Sequence, residues 1–215
     1  MYRLFFLIAL FFLALFEPIR IKADGFEGNI RIVCETIFDT TYLTLSIKGN
    51  MVRVDEYDNN RHLDISKIIN LPEEEAIAIS HSRKQYTGIP VTGQSEKVSK
   101  PVMGMKTGNY KEIHGYKCYQ WWVKDVQRNT EIAYWVAEEK FEFLETLLKF
   151  MDNTAYSLRL YAGIPDSNEF FPLLTEERTL LRKEKVRISV VEIKETPVNS
   201  QVFEIPKGYN SVSRM

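Results

Sequence analysis

The chain has 215 residues, 45% of them hydrophobic and 13% aromatic, with 28 basic and 29 acidic side chains. Lys and Arg are scattered rather than gathered on one segment, which excludes a nucleic-acid binder, because phosphate contact needs a concentrated basic surface. The length suits one domain with a sizeable buried core.

Arg3 is followed by an unbroken apolar run at residues 4–16. The run is shorter than the roughly 20 residues of a membrane span and fits the apolar region of a secretory signal peptide. Ile21-Lys22-Ala23 offers a small residue at the cut position, so cleavage is expected after Ala23. An uncleaved anchor helix is the other reading. Residues 1–23 are thus expected as a leader and 24–215 as one mature domain. That domain carries 25 basic and 28 acidic side chains, a net charge of −3.

Residues 26–38 alternate in the period-two manner of a half-buried strand, with Ile30, Ile32 and Cys34 opposite Asn29, Arg31 and Glu35. After a turn at 39–41, residues 42–48 place Leu43, Leu45 and Ile47 on one face. Gly49-Asn50 makes a tight turn into a third strand at 51–56. A hairpin of 62–70 and 76–82 follows, turned at Leu71-Pro72-Glu73-Glu74, with Lys84-Gln85-Tyr86 extending its second arm. Residues 87–98 have loop composition and are expected as a surface loop or as a flap over one sheet edge.

Residues 102–112 read as a strand weakened by Gly104 and Gly108. The next stretch, 113–137, holds all three tryptophans on two strands. Tyr119 and Trp121 share one face; Tyr116, Cys118 and Trp122 share the other, so the adjacent indoles point to opposite sides. Burying an indole is worth a few kcal/mol, so both faces are expected to be covered here. A helix is expected over 138–151, with Phe141, Leu144, Leu147, Leu148 and Met151 on its apolar stripe and Glu138 and Glu139 at its N-terminus. A second short helix over 155–162 ends at Gly163-Ile164-Pro165. Strands are expected again at 170–175 and 180–194, and 203–209 closes the domain.

Little here points to catalysis. His62, His81 and His114 stand apart in sequence, and neither a His-x-x-x-His nor a Cys-x-x-Cys spacing occurs. Asp55, Glu56 and Asp58 read as a water-facing acidic turn, and the group from Arg178 to Arg187 as a solvated turn and strand edge. No catalytic residue, metal or cofactor is expected. An enzyme would need a polar pocket joining at least two of His62, His81, His114, Asp55 and Cys118. Cys34 and Cys118 permit a disulfide in an exported chain, and buried free thiols are the alternative.

Seven segments carry a family resemblance: Phe26-Glu27-Gly28, Lys48 to Asp55, Lys84-Gln85-Tyr86, Ile113 to Cys118, Glu131 to Trp135, Gly163-Ile164-Pro165 and Phe203 to Tyr209. Together they resemble a family of uncharacterised bacterial envelope proteins related to the lipoprotein carriers LolA and LolB. The resemblance implies a mainly β fold with some helix, a curved antiparallel sheet forming an unclosed half-barrel covered by helices. It also implies residence in the periplasm or envelope of a Gram-negative bacterium. The function expected is non-enzymatic binding of a lipid or acyl chain by a monomer, with Trp121, Trp122, Trp135, Phe141, Leu144 and Leu148 as the candidate lining. The alternative is a structural or protein-interaction module of the envelope whose core is filled by its own side chains.

Overall fold

The computed structural model describes residues 25–89, 104–150, 156–164, 167 and 170–212. The expected leader, most of the expected loop at 87–98, Met151 and Pro165 lie outside these residues. The described chain is mostly β. Its strands are β1 (Gly28–Thr36), β2 (Thr40–Lys48), β3 (Met51–Tyr57), β4 (Leu63–Asn70), β5 (Glu75–Ser80), β6 (Gln85–Ile89), β7 (Met105–Ile113), β8 (Tyr116–Asp125), β9 (Thr130–Lys140), β10 (Phe170–Thr179), β11 (Glu184–Lys194) and β12 (Asn210–Ser211). Two helices of seven residues, α1 (Leu144–Phe150) and α2 (Tyr156–Ala162), follow β9, and a 3-10 turn spans Ser200–Phe203.

All twelve strands join one sheet in the order β12-β6-β5-β4-β3-β2-β1-β11-β10-β9-β8-β7, antiparallel except for the β12–β6 pair. The sheet is unclosed, with β7 and β12 at its edges. It is also strongly curled. Three strand spacings, about 14 Å in a flat sheet, separate β8 from β11. Yet His114, in the β7–β8 turn, places its Nε2 2.8 Å from the Val190 carbonyl oxygen on β11, and the Tyr116 hydroxyl donates to Glu195 Oε1 at 3.1 Å.

Four sequence expectations are corrected. The helix expected from Glu138 begins only at Leu144, because Glu138 to Lys140 complete β9, where Lys140 pairs with Phe170. Sheet pairing there outweighs the helical stripe. Gln85 to Ile89 form their own strand, folded back on β5 by a turn at 81–84, instead of extending it. The strand expected from Leu180 starts at Glu184, since 180–183 is the turn between β10 and β11. The first turn is 37–39, so Thr40 and Thr41 already belong to β2.

One apolar cluster occupies the face defined by Ile30, Ile32, Cys34, Leu43, Leu45, Ile47, Val52 and Val54, and it takes in Leu144, Leu147 and Phe150 of α1 and Leu160 and Tyr161 of α2. On the opposite face of β4 and β5, Ile68 and Ile79 are buried outside that cluster. Here the C-terminal segment crosses the sheet. Lys48 Nζ donates to the Val198 oxygen at 2.7 Å, Arg53 donates to the Val202 oxygen at 2.7 Å, and Asn210 N donates to the Lys84 oxygen at 3.0 Å.

Candidate functional site

An apolar hollow lies between the helices and the middle of the sheet. Ile32 and Cys34 on β1, Leu43 on β2, Phe171 and Pro172 on β10, and Ile188 and Val190 on β11 form its floor. Leu144, Leu147 and Leu148 from α1 and Leu158 from α2 form its roof. The register explains the floor: Cys34 pairs with Ile188 and Ile32 with Leu43 and Val190, so period-two alternation aims all of them to one side. On β10 the alternation fails. Pro172 donates no ladder bond, and the register slips on both sides of it. Phe171, Pro172 and Leu173 are consequently buried in succession.

The cavity measures about 30 Å³, well below the few hundred Å³ of a preformed small-molecule site. Two hydroxyls beside it, Ser157 Oγ and Thr175 Oγ1, are buried and have no hydrogen-bond partner among the described residues. Ser157 precedes Leu158 of the roof, and Thr175 pairs with Ile188 of the floor. Tyr134 anchors α2 here, its hydroxyl donating to the Ser157 carbonyl at 2.6 Å, while its ring lies 5.0 Å from that of Tyr161.

Of the six residues expected to line a ligand site, Leu144 and Leu148 are on the wall. Phe141 is one step removed, buried in an aromatic group with Phe26, Phe143 and Phe171, its ring 5.5 Å from the Phe171 ring. Trp121 pairs with Tyr134 and packs on Tyr161 at 6.4 Å, beside the helices and off the cavity wall. Trp122 and Trp135 have the opposite parity and so face away from the cavity. Trp135 carries Lys111 Nζ 4.0 Å over its ring and donates from Nε1 to Glu176 at 3.4 Å.

Of the two readings of the cysteines, disulfide or buried free thiols, the structure has the second. Cys34 and Cys118 are buried free thiols, and β11, β10 and β9 lie between their strands in the sheet order. Burial raises both thiol pKa values, that of Cys118 to about 11; Glu35, Glu56 and Asp39 add to the effect at Cys34. Sequence reasoning placed Cys34 on an apolar strand face but not on a cavity wall.

A second constellation lies under the C-terminal segment. Asp55 and His81, two of the groups an enzyme would have to join, meet through Ser66. The Ser66 hydroxyl donates to Asp55 Oδ1 and lies 2.7 Å from His81 Nε2, while His81 Nδ1 lies 3.0 Å from the Tyr209 hydroxyl. Arg53 donates from Nε to Asp55 at 2.7 Å and from a terminal nitrogen to Ser66 at 2.9 Å. Because the Ser66 proton goes to Asp55, His81 must donate from Nε2 to the Ser66 oxygen, and Nδ1 accepts from Tyr209. The network is saturated around a neutral imidazole. Ser66 is fully buried, so its oxygen is not presented to a substrate. His62 and His114 lie elsewhere, in the β3–β4 and β7–β8 turns, and among the described residues no three His, Cys, Asp or Glu side chains converge as a metal site.

Burial, reinforced by the Arg53 charge, lowers the His81 pKa below its ordinary 6.5, against the opposing pull of Asp55 and Asp64. The folded state therefore binds this proton less readily than the unfolded chain. The His81 contribution to stability is complete above pH 6.5 and is lost as pH falls below it. Denaturant titrations at pH 8 and pH 5.5 are expected to show a larger loss for the wild type than for His81→Gln; equal losses would contradict the neutral imidazole.

Comparison with known proteins bears on the fold. A search among curated proteins finds no match. An uncharacterised conserved protein of Thermus thermophilus is 11% identical and superposes with a TM-score of 0.53 over 87% of this chain and 91% of that one, a likeness of fold alone. A domain named as a candidate outer membrane lipoprotein-sorting protein, from Vibrio parahaemolyticus, is 6% identical with a TM-score of 0.34 over 84% and 90%. A DUF1329 family protein of Desulfovibrio piger is 8% identical with a TM-score of 0.34 over 84% and 91%. Residues 26–209, nearly the whole described chain, match one family, so the protein belongs to DUF4412, a domain of unknown function.

Proposed function

We propose that this protein is a non-enzymatic, exported envelope protein that binds an acyl chain in the cleft between its two short helices and the curled sheet. The observation that carries the proposal is the cleft itself, walled by eleven apolar residues from four strands and both helices. At about 30 Å³ the cleft is too small to hold an acyl chain as it stands, so a chain enters by displacing α1 and α2, which act as a lid. Helices of seven residues have little stability of their own and stay helical through packing. The lid is held by apolar contacts, and a ligand would replace one set with another at about 25 cal/mol per Å² buried. Ser157 Oγ and Thr175 Oγ1, without a partner among the described residues, are suited to hydrogen-bond a carboxyl or ester oxygen. Export is supported by the leader-like residues 1–23, and the lipid class of cargo by the sequence resemblance to the lipoprotein carriers.

The small cavity volume also favours a second reading, an envelope interaction module with a filled core. Titration with the fluorescent fatty acid cis-parinaric acid separates the two. Acyl binding predicts one saturable site per chain, weakened at least about tenfold by Leu148→Trp, which overfills the half-buried rim. It also predicts that, in a Cys118→Ser background, the ligand slows maleimide modification of Cys34. No saturable binding, with Cys34 unprotected, leaves the filled module.

A further inference from the structure

We propose that one end of the sheet docks on an anionic lipid bilayer through the tips of three neighbouring hairpins. The register places the turns 37–39, 58–62, 81–84, 126–129 and 180–183 at the same end: Thr36 pairs with Val186, Tyr42 with Tyr57, Ser80 with both Ile65 and Gln85, and Thr130 with both Asp125 and Thr179. Among the described residues eight large hydrophobic side chains are exposed. Four of them sit on three of these turns: Ile37 (60% exposed), Phe38 (91%), Val126 (70%) and Leu181 (88%). The three turns join β1–β2, β10–β11 and β8–β9, which are consecutive along the sheet. None of the eight lies in the opposite turns at 49–50, 71–74 and 114–115.

Charge follows the same polarity. The five turns carry Arg61, Arg83, Lys84, Arg128, Arg182 and Lys183 against two acids, Asp39 and Asp58. Both carboxylates bond to their own turns, Asp39 Oδ1 to the amide of Thr40 and Asp58 Oδ1 to those of Asn60 and His62. Acids also stand beside the turns: Asp125 accepts from the Arg128 amide, Glu184 is paired with Arg187 at 2.7 Å, and Glu35, Glu56, Asp64 and Glu131 lie one residue further along the strands. The opposite end instead exposes Glu73 and Glu74.

The tips are built to stay out. Thr36 Oγ1 accepts from the amides of Phe38 and Asp39, and the Leu181 turn is closed by Arg182 N donating to the Thr179 oxygen at 2.7 Å. Neighbouring hairpins are about 10 Å apart, so the row offers separated apolar points ringed by cations. A bilayer interface accepts that arrangement, because each tip enters the headgroup region independently while anionic lipids attract the ring. The site is distinct from the cleft and does not depend on the cleft binding anything. It does lie close, for Cys34 on the cleft wall is three residues, about 10 Å, from Ile37.

The test is co-sedimentation of the mature chain with vesicles of phosphatidylcholine alone or with about one-third phosphatidylglycerol, at physiological ionic strength. Binding is expected on the anionic vesicles. It should fall at least about tenfold in Phe38→Ser/Leu181→Ser and also fall in Arg182→Glu/Lys183→Glu. All four side chains are exposed, so unchanged melting curves will certify folding. Failure to bind anionic vesicles, or binding that survives the serine pair, overturns the proposal. So does a dimer seen by ultracentrifugation without lipid and abolished by the serine pair, which would assign the tips to a second copy. Loss of fatty-acid binding in the cleft would leave these outcomes unaffected.

Discussion

Asp55→Ala is expected to destabilise the protein by about 3–5 kcal/mol, the range for removing one partner of a buried ion pair. The Arg53 and Asp55 side chains are only 11% and 15% exposed, so solvent does little to replace the missing partner. The guanidinium would keep its bonds to the Val202 carbonyl and Ser66, but its charge would stay beneath the C-terminal segment with no carboxylate opposite. Ser66 would also lose its acceptor. A global loss of this size is a large part of the roughly 5–15 kcal/mol typical of a folded domain. Its local signature should be faster hydrogen exchange at Asn210 and Val212, whose amides bond to the Lys84 and Tyr86 carbonyls. A loss below about 1 kcal/mol would mean that the pair behaves like a surface salt bridge.

Leu147→Ala is the second large effect. Leu147 is 1% exposed and forms part of both the main core and the cavity roof. Truncation removes apolar contact and enlarges a cavity that the sheet beneath cannot collapse, so a loss of about 2–5 kcal/mol is expected. The same change makes room for a ligand. If the cleft accepts acyl chains, dodecanoate at about a hundred times its dissociation constant should restore roughly 2.7 kcal/mol by linkage. Melting curves with and without dodecanoate measure both numbers. Destabilisation with no recovery would separate a structural role of the roof from a binding role.

The period-two strands were readable because local alternation survives into the sheet: Ile30, Ile32 and Cys34 on β1 and Leu43, Leu45 and Ile47 on β2 are all buried as the pattern requires. The split of Trp121 from Trp122 followed from the same rule. Two turns with neither glycine nor proline were not readable. The 81–84 and 180–183 turns carry Lys84 and Arg182 at positive φ, 51° and 65°. Lysine and arginine give no local sign of adopting that conformation, so a strand was read through each turn. The start of α1 was misplaced because Glu138 to Lys140 are compatible with either helix or strand, and pairing with β10 decides.

Composition and alternation, then, determined that this chain builds a broad antiparallel sheet with one apolar face and a short helical insertion after the aromatic hairpin. Both depend on residues close in sequence, whose side-chain directions are set by the backbone period. Only the tertiary structure decided what meets across that sheet. Leu144 and Leu148 come to Ile32 and Cys34 across more than a hundred residues, His81 comes to Tyr209, and Phe38, Val126 and Leu181 gather at one end. These juxtapositions depend on strand order and curl, which follow from the packing of the whole chain and leave no mark on any short stretch of it.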